Sequence, residues 1–89
     1  MDDWLRDGAR QSLQGYRSGR VTLRRLIDDL DEVWSHVPKS EWSEHFRSQW
    51  WVLEEIYAVA LDRRELDQLS LDDQKSIGTA LDELGRLLS

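Results

Sequence analysis

The chain has no cysteine and only one proline, Pro38, among its 89 residues. Without cysteine it has neither disulfide bonds nor the thiolate ligands that structural zinc sites usually require. The absence of disulfides is typical of a reducing compartment, so we expect a cytoplasmic location. A chain this short buries only a little more than ~60% of its unfolded surface. We therefore expect one domain, residues 1–89, with one small core rather than a deep catalytic pocket.

Basic charge and long apolar runs are scarce as well. The sequence has 12 Lys and Arg against 18 Asp and Glu, a net charge of −6. Nucleic-acid binding needs a positive surface, so this balance disfavours nucleic acid and favours a basic protein partner. No apolar run approaches the roughly 20 residues of a membrane span. The acidic start of the chain, with Asp2 and Asp3, differs from the basic and then apolar start of a signal peptide.

Strand signals are nearly absent, and the apolar residues recur at helical spacing. The pattern predicts an all-α fold, a small antiparallel bundle of about four helices, because the connections are short. The predicted helices cover residues 2–16, 23–36, 41–64 and 71–88. The expected N-caps are Asp2 or Asp3 for the first helix and Thr22, Ser40 and Ser70 for the others. Pro38 ends the second helix because proline disfavours helical geometry in the residue before it. The third helix is the most apolar, so we expect it at the centre.

Residues that could carry catalysis are few. The two histidines, His36 and His45, each follow a glutamate by four residues, Glu32 and Glu41, so each pair can meet on a helix face. We interpret them as surface ion pairs, since dinuclear carboxylate bundles space Glu and His three apart and point them inward. The chain has neither a Gly-x-Ser-x-Gly motif nor a glycine-rich phosphate loop. We therefore predict no enzyme, no metal ligand and no cofactor, while an enzyme would need an inward-facing histidine beside carboxylates.

Two arginines near the start of the second helix are best explained by pairing within that helix. Arg24 and Arg25 are each followed four residues later by an aspartate, Asp28 and Asp29. Opposite charges at this spacing face each other on a helix. We therefore expect a solvated, self-paired face here rather than a nucleic-acid site.

Trp51 does not fit the apolar stripe of the third helix. On a helical wheel it falls about 140° from the centre of that stripe, near Leu53. Two interpretations remain open: another helix covers Trp51, or it is an exposed tryptophan among carboxylates. In the second case it would be an interface anchor, with the acids providing charge complementarity to a basic partner. The other tryptophans lie on apolar faces, and we expect them in the core: Trp4, Trp34, Trp42 and Trp50.

The candidate partner-binding residues lie on two of the predicted helices. The third helix provides Trp51 and the acids that share its side, Glu44, Glu54, Glu55 and Asp62. The second helix provides a further acidic patch, Asp28, Asp31 and Glu32.

Three segments resemble a known family. They are residues 14–22, QGYRSGRVT; residues 50–58, WWVLEEIYA; and residues 69–73, LSLDD. The first resembles a tyrosine-and-glycine turn followed by a Val-Thr or Ile-Thr helix start. The second resembles an apolar and acidic central helix, and the third opens the final helix. In these features the chain is similar to immunity proteins of the colicin D type and to related immunity partners of bacterial contact-dependent toxins.

Two hypotheses about function follow. The resemblance implies a bacterial protein that binds a basic, ribonuclease-type toxin domain and silences it stoichiometrically, as a monomer. The alternative is a structural or interaction module, for example a homodimer. That alternative is motivated by the wide apolar face of the third helix, where Val52 and Val59 lie beyond what four short helices are expected to cover.

Overall fold

The computed structural model describes residues 2–64 and 68–89. It contains four helices: α1 (Asp3–Arg17), α2 (Leu23–Ser35), α3 (Glu41–Asp62) and α4 (Leu71–Leu88). The predicted all-α bundle is confirmed, and the described part of the chain contains no strand. No helix in these residues combines the length and the apolar character that crossing a membrane requires.

Three of the four helices begin with a side chain that satisfies backbone N–H groups of the first turn. Thr22 and Ser70 each accept a hydrogen bond from the N–H three residues later. Ser40 accepts from the Ser43 N–H at 3.1 Å, and the Ser43 hydroxyl accepts from the Ser40 N–H at 2.8 Å, which forms a capping box. The predicted N-caps Thr22, Ser40 and Ser70 are therefore confirmed. The prediction for α1 is not, because Asp3 is already helical and the side chain of Asp2, before it, makes no such bond.

The end of α3 comes two residues earlier than the pattern predicts. Arg64 has a φ of 58°, in the left-handed region. The N–H groups of Arg63 and Arg64 bond to the carbonyls of Val59 and Leu61. This is a common way to end a helix, because the left-handed residue turns the chain while the last carbonyls stay hydrogen-bonded. Asp62 is consequently the last helical residue.

The connection between α1 and α2 depends on Gly15. Its carbonyl accepts from the N–H groups of Arg20, at 2.8 Å, and Val21, at 3.0 Å. A Cβ atom on Gly15 would overlap Cγ2 of Val21, so only glycine permits this approach. Gly19, with a φ of 80°, makes the reversal itself. The two glycines thus allow α2 to return antiparallel and close to α1.

The helices form a ring in which each one packs against its neighbours in sequence and α4 returns to α1. The ion pair between Arg17 and Asp82, at 2.7 Å, joins α1 to α4. Because every helix touches two others, α3 is not the central helix that its composition suggested. The largest fully buried side chains are Leu26, Ile27, Leu30 and Val33 of α2, Phe46 and Leu53 of α3, and Leu84 and Leu88 of α4.

Two residues that the pattern places inside are outside. Trp4 is 70% exposed, because it points about 100° away from Leu5, its neighbour in the chain, and Leu5 faces the core. Leu61 is 53% exposed. Arg24, at the start of α2, lies against Tyr57 of α3, so Leu61 lies one turn beyond the point where α2 can cover α3.

Candidate partner-binding surface

The packing of α2 against α3 determines where Trp51 points. Trp50 turns toward α2, where its Nε1–H donates to the Ile27 carbonyl at 2.9 Å. Its ring also meets Trp34 edge-on, with 5.2 Å between centroids. Trp51 comes next in the chain and points about 100° further round the helix. It is 55% exposed, so the interpretation that another helix covers it is wrong.

The neighbours of Trp51 along α3 differ on its two sides. One turn later lie Glu54 and Glu55, and neither forms an ion pair within the described residues. One turn earlier lies Arg47, whose guanidinium carbon is 5.1 Å from the centroid of the Trp34 ring. Arg47 therefore packs on α2 through a cation–π contact and leaves both carboxylates unneutralised.

A row of charged residues on α2 runs along the same side of the molecule. Arg24 and Asp31 lie seven residues, about two turns, apart on the flank that faces α3. Arg24 is engaged twice, 5.6 Å from the Tyr57 ring centroid and 3.3 Å from an Asp28 oxygen. Asp31 is half-buried and forms no ion pair in the described chain. We call Asp31, Trp51, Glu54 and Glu55 the acidic face.

The remaining candidate residues lie further from Trp51 or are near a cation of this chain. Glu44 and Asp62 lie about 10 and 17 Å from Trp51 along α3, at ~1.5 Å per residue. A Lys39 nitrogen lies 3.8 Å from a Glu44 oxygen. Asp28 and Glu32 lie one turn apart on α2, and both line a groove against α1. The structure thus groups four of the eight predicted residues.

The groove between α1 and α2 is open and has a volume of about 1280 Å³. Trp4 stands at one end, and Gly8 leaves room because nothing lies within 4 Å of the Cβ position it lacks. Inside the groove, the buried Ser12 hydroxyl donates to Asp29 at 2.8 Å. Arg25 approaches the same carboxylate at 3.1 Å. Both predicted intrahelical pairs, Arg24–Asp28 and Arg25–Asp29, are confirmed.

The histidines do not form the ion pairs that their spacing suggested. Nδ1 of His36 donates to the backbone carbonyl of Glu32 at 2.7 Å rather than to its carboxylate. Nε2 of His45 lies 3.0 Å from a carboxylate oxygen of Glu83, on α4, and not beside Glu41. Both histidines are exposed, and within residues 2–64 and 68–89 no three His, Asp or Glu side chains are placed to hold a metal ion.

Glu83 is the carboxylate most strongly engaged by cations in the described chain. The hydrogen bond from Arg86 lowers the pKa of Glu83 below its usual value. Partial desolvation opposes this shift, and the charges of Arg86 and His45 reinforce it. The same contact raises the pKa of Arg86. This part of the surface is neutralised internally, unlike the acidic face.

Sequence reasoning did not foresee that Arg24 and Arg47 would pack over aromatic rings beside the acidic face. The available signal was the position of Tyr57 and Trp34 at the flanks of their apolar stripes, where a half-buried ring can accept a cation.

No protein-family model matches this chain, and no curated protein or solved structure matches it either.

Proposed function

We propose that this protein is a stoichiometric inhibitor of the immunity type, which binds a basic nuclease toxin domain and occludes its active-site cleft. One observation carries the proposal: Trp51 is 55% exposed beside the carboxylates of Glu54 and Glu55, which form no ion pairs in the described chain. A nuclease needs a positive cleft to bind phosphates. Carboxylates carried on a helix can occupy such a cleft, compete with the substrate and accelerate association electrostatically.

The rigidity of the acidic face supports the same proposal. Trp50 is held by its hydrogen bond to the Ile27 carbonyl and by its contact with Trp34. The backbone beside Trp51 is therefore fixed before a partner arrives, which lowers the entropy cost of binding. Tryptophan is among the residues most often found as interface hot spots. In this role the protein inhibits by contact and performs no chemistry of its own.

The direct test is capture of partners from the organism that encodes the protein, at low salt and again at about 0.5 M salt, where screening shortens electrostatic attraction to a few ångströms. A basic partner recovered at low salt is then assayed for cleavage of RNA while this protein is titrated in. We expect cleavage to stop at one equivalent. Recovery of no basic partner, or of one whose RNA cleavage is unchanged, contradicts the proposal.

A matched pair of charge reversals locates the contact. Glu55→Lys changes an exposed carboxylate of the acidic face, and Asp7→Lys changes an exposed carboxylate of α1. Both variants change the net charge equally, so any general electrostatic effect is shared. We expect Glu55→Lys to raise the amount of protein needed for inhibition and Asp7→Lys to leave it nearly unchanged.

The second candidate function is a homodimeric interaction module. It is favoured by Val59, which is 45% exposed beside the exposed Ala58 of α3. Val52, by contrast, packs against the core. Sedimentation equilibrium separates the two functions: a salt-insensitive dimer that Val59→Asp converts to a monomer supports the module, and a monomer at all concentrations supports the inhibitor.

A further inference from the structure

A second cavity lies at the end of the bundle where α1 and α3 begin and α2 and α4 end. Its volume is about 340 Å³, near the lower limit for small-molecule sites. Four apolar side chains and two polar ones line it: Val37, Pro38, Trp42, Leu87, Arg6 and Ser40. The cavity involves none of the residues of the acidic face, so an inference about it stands apart from the proposed function.

The apolar wall of this cavity is already held in place. The Trp42 Nε1–H donates to the Leu87 carbonyl at 3.1 Å. The Trp42 ring also stacks on Phe46, with 5.2 Å between centroids and 20° between planes. The Ser40 hydroxyl is engaged in capping α3. Trp42 therefore presents a fixed ring, and Arg6 is the remaining polar group.

Arg6 has an unmet hydrogen-bonding requirement. Its Nε is shielded from solvent and has no hydrogen-bond partner in the described chain. No carboxylate among residues 2–64 and 68–89 forms an ion pair with it. Buried donors in folded proteins are nearly always satisfied, and a guanidinium stays charged at any ordinary pH. Its planar fork of N–H groups matches the two oxygens of a carboxylate.

We propose that this cavity binds a small monocarboxylate with an apolar body. The carboxylate accepts hydrogen bonds from the terminal N–H groups of the Arg6 guanidinium, and the apolar body lies against Trp42, Pro38 and Leu87. This division fits the general character of ligand sites, in which apolar walls supply area and one or two polar groups determine orientation.

The test uses three probes in ¹H–¹⁵N NMR titrations of the full chain. They are 3-phenylpropionate, its neutral amide and acetate. We expect 3-phenylpropionate to shift the indole N–H of Trp42 and to bind about tenfold or more tightly than the amide, because a charge-assisted bond is lost in the amide. Acetate should bind more weakly than 3-phenylpropionate because it lacks the apolar body. No binding of 3-phenylpropionate, or equal binding of all three, overturns the proposal.

Two arginine variants provide the matched control. Arg6→Met removes the charge but keeps the length of the side chain, and Arg10→Met makes the same change at an exposed arginine one turn along α1. We expect Arg6→Met to weaken 3-phenylpropionate binding about tenfold and Arg10→Met to leave it unchanged. Equal effects of the two variants contradict the proposed site.

A third variant keeps the proposal testable if Arg6→Met does not fold, which a thermal unfolding curve will show. Val37→Phe places a larger side chain in the wall of the cavity, which reduces the cavity volume and leaves Arg6 in place. We expect this variant to lose 3-phenylpropionate binding. Undiminished binding would place the probe elsewhere and overturn the assignment.

Discussion

Aspartates lie on both sides of α2, but the contacts that their carboxylates make differ. Toward α1, the carboxylate of Asp29 is engaged by the Ser12 hydroxyl and by Arg25. Toward α3, the nearby Asp31 forms no ion pair in the described chain, and the contact is made by aromatic rings such as those of Trp34 and Trp50. Both aspartates belong to the same acidic run, residues 28–32.

This difference shows that the number of acids in a segment does not identify a binding surface. An engaged carboxylate contributes to the fold, and binding a partner through it would require breaking an existing contact. A carboxylate without a counter-ion can bind a partner without breaking an existing contact, and its charge is not neutralised within the protein. The α3 side of α2 therefore suits a basic partner better than the α1 side.

The largest expected effect separates the two adjacent tryptophans of α3. Trp50→Ala removes a hydrogen bond to the Ile27 carbonyl and the contact with Trp34, so it should lower the free energy of unfolding by about 3 kcal/mol. Trp51→Ala removes an exposed side chain and should change it by no more than about 0.5 kcal/mol. Urea unfolding measures both. Equal losses would mean that Trp51 belongs to the packing and not to a free surface.

A pair of glycine variants tests the closeness of α1 and α2. Gly15→Ala places a Cβ against Val21 and should cost about 1–3 kcal/mol of unfolding free energy. Gly8→Ala, where the Cβ meets nothing within 4 Å, should instead add about 1 kcal/mol through its better helix propensity. Thermal unfolding of the two variants gives the signs. Stabilisation by Gly15→Ala would contradict the tight connection described above.

A smaller effect tests whether the hydrogen bond that Asp29 accepts from Ser12 stabilises the fold. Ser12→Ala removes the buried hydroxyl that donates to Asp29 and should cost about 1 kcal/mol. The control is Ser35→Ala, which removes an exposed hydroxyl that donates to a backbone carbonyl and should cost less than about 0.5 kcal/mol. Chemical denaturation compares them. If Ser12→Ala has no effect, Asp29 is as free as Asp31 and the contrast between the two sides of α2 disappears.

The smallest effect concerns pH and the paired carboxylate of Glu83. Because its folded-state pKa is lowered, its contribution to stability is present above the ordinary value of about 4.3 and is lost as pH falls through the folded-state pKa. Glu83→Gln should therefore reduce the acid-side loss of stability slightly. Unfolding midpoints between about pH 3 and 7 measure the change. Parallel curves for the two proteins would show that the pair with Arg86 contributes nothing.

Local features of the fold were predictable from the sequence. The caps at Thr22, Ser40 and Ser70 depend on hydrogen bonds spanning three residues, and α4 has the predicted bounds. Coverage of a helix end by another helix is not local, and this is why Leu61 was misplaced. The helical pattern places Leu61 on an apolar flank but carries no information on where the neighbouring helix stops. Trp4 was misplaced because its hydrophobicity was given more weight than its angle of about 100° from Leu5.

The candidate surface was predictable in part. The position of Trp51 opposite the apolar stripe follows from helical geometry, and so do Glu54 and Glu55 beside it. The pairing of His45 with Glu83 joins two helices, so intrahelical spacing could not reveal it. The pairing of Asp29 with Arg25 follows from intrahelical spacing, whereas the hydrogen bond that Asp29 accepts from Ser12 joins two helices and could not be predicted from that spacing.

The most direct test of the central claim compares the two exposed tryptophans, one on each side of α2. Trp51→Ala and Trp4→Ala make the same change at side chains that are 55% and 70% exposed. The affinity of each variant for the captured basic partner is measured by calorimetry. If the acidic face binds the partner, Trp51→Ala weakens binding about thirtyfold or more, and Trp4→Ala changes it by less than about twofold. A large loss for Trp4→Ala with none for Trp51→Ala would contradict the account and place the partner in the groove between α1 and α2.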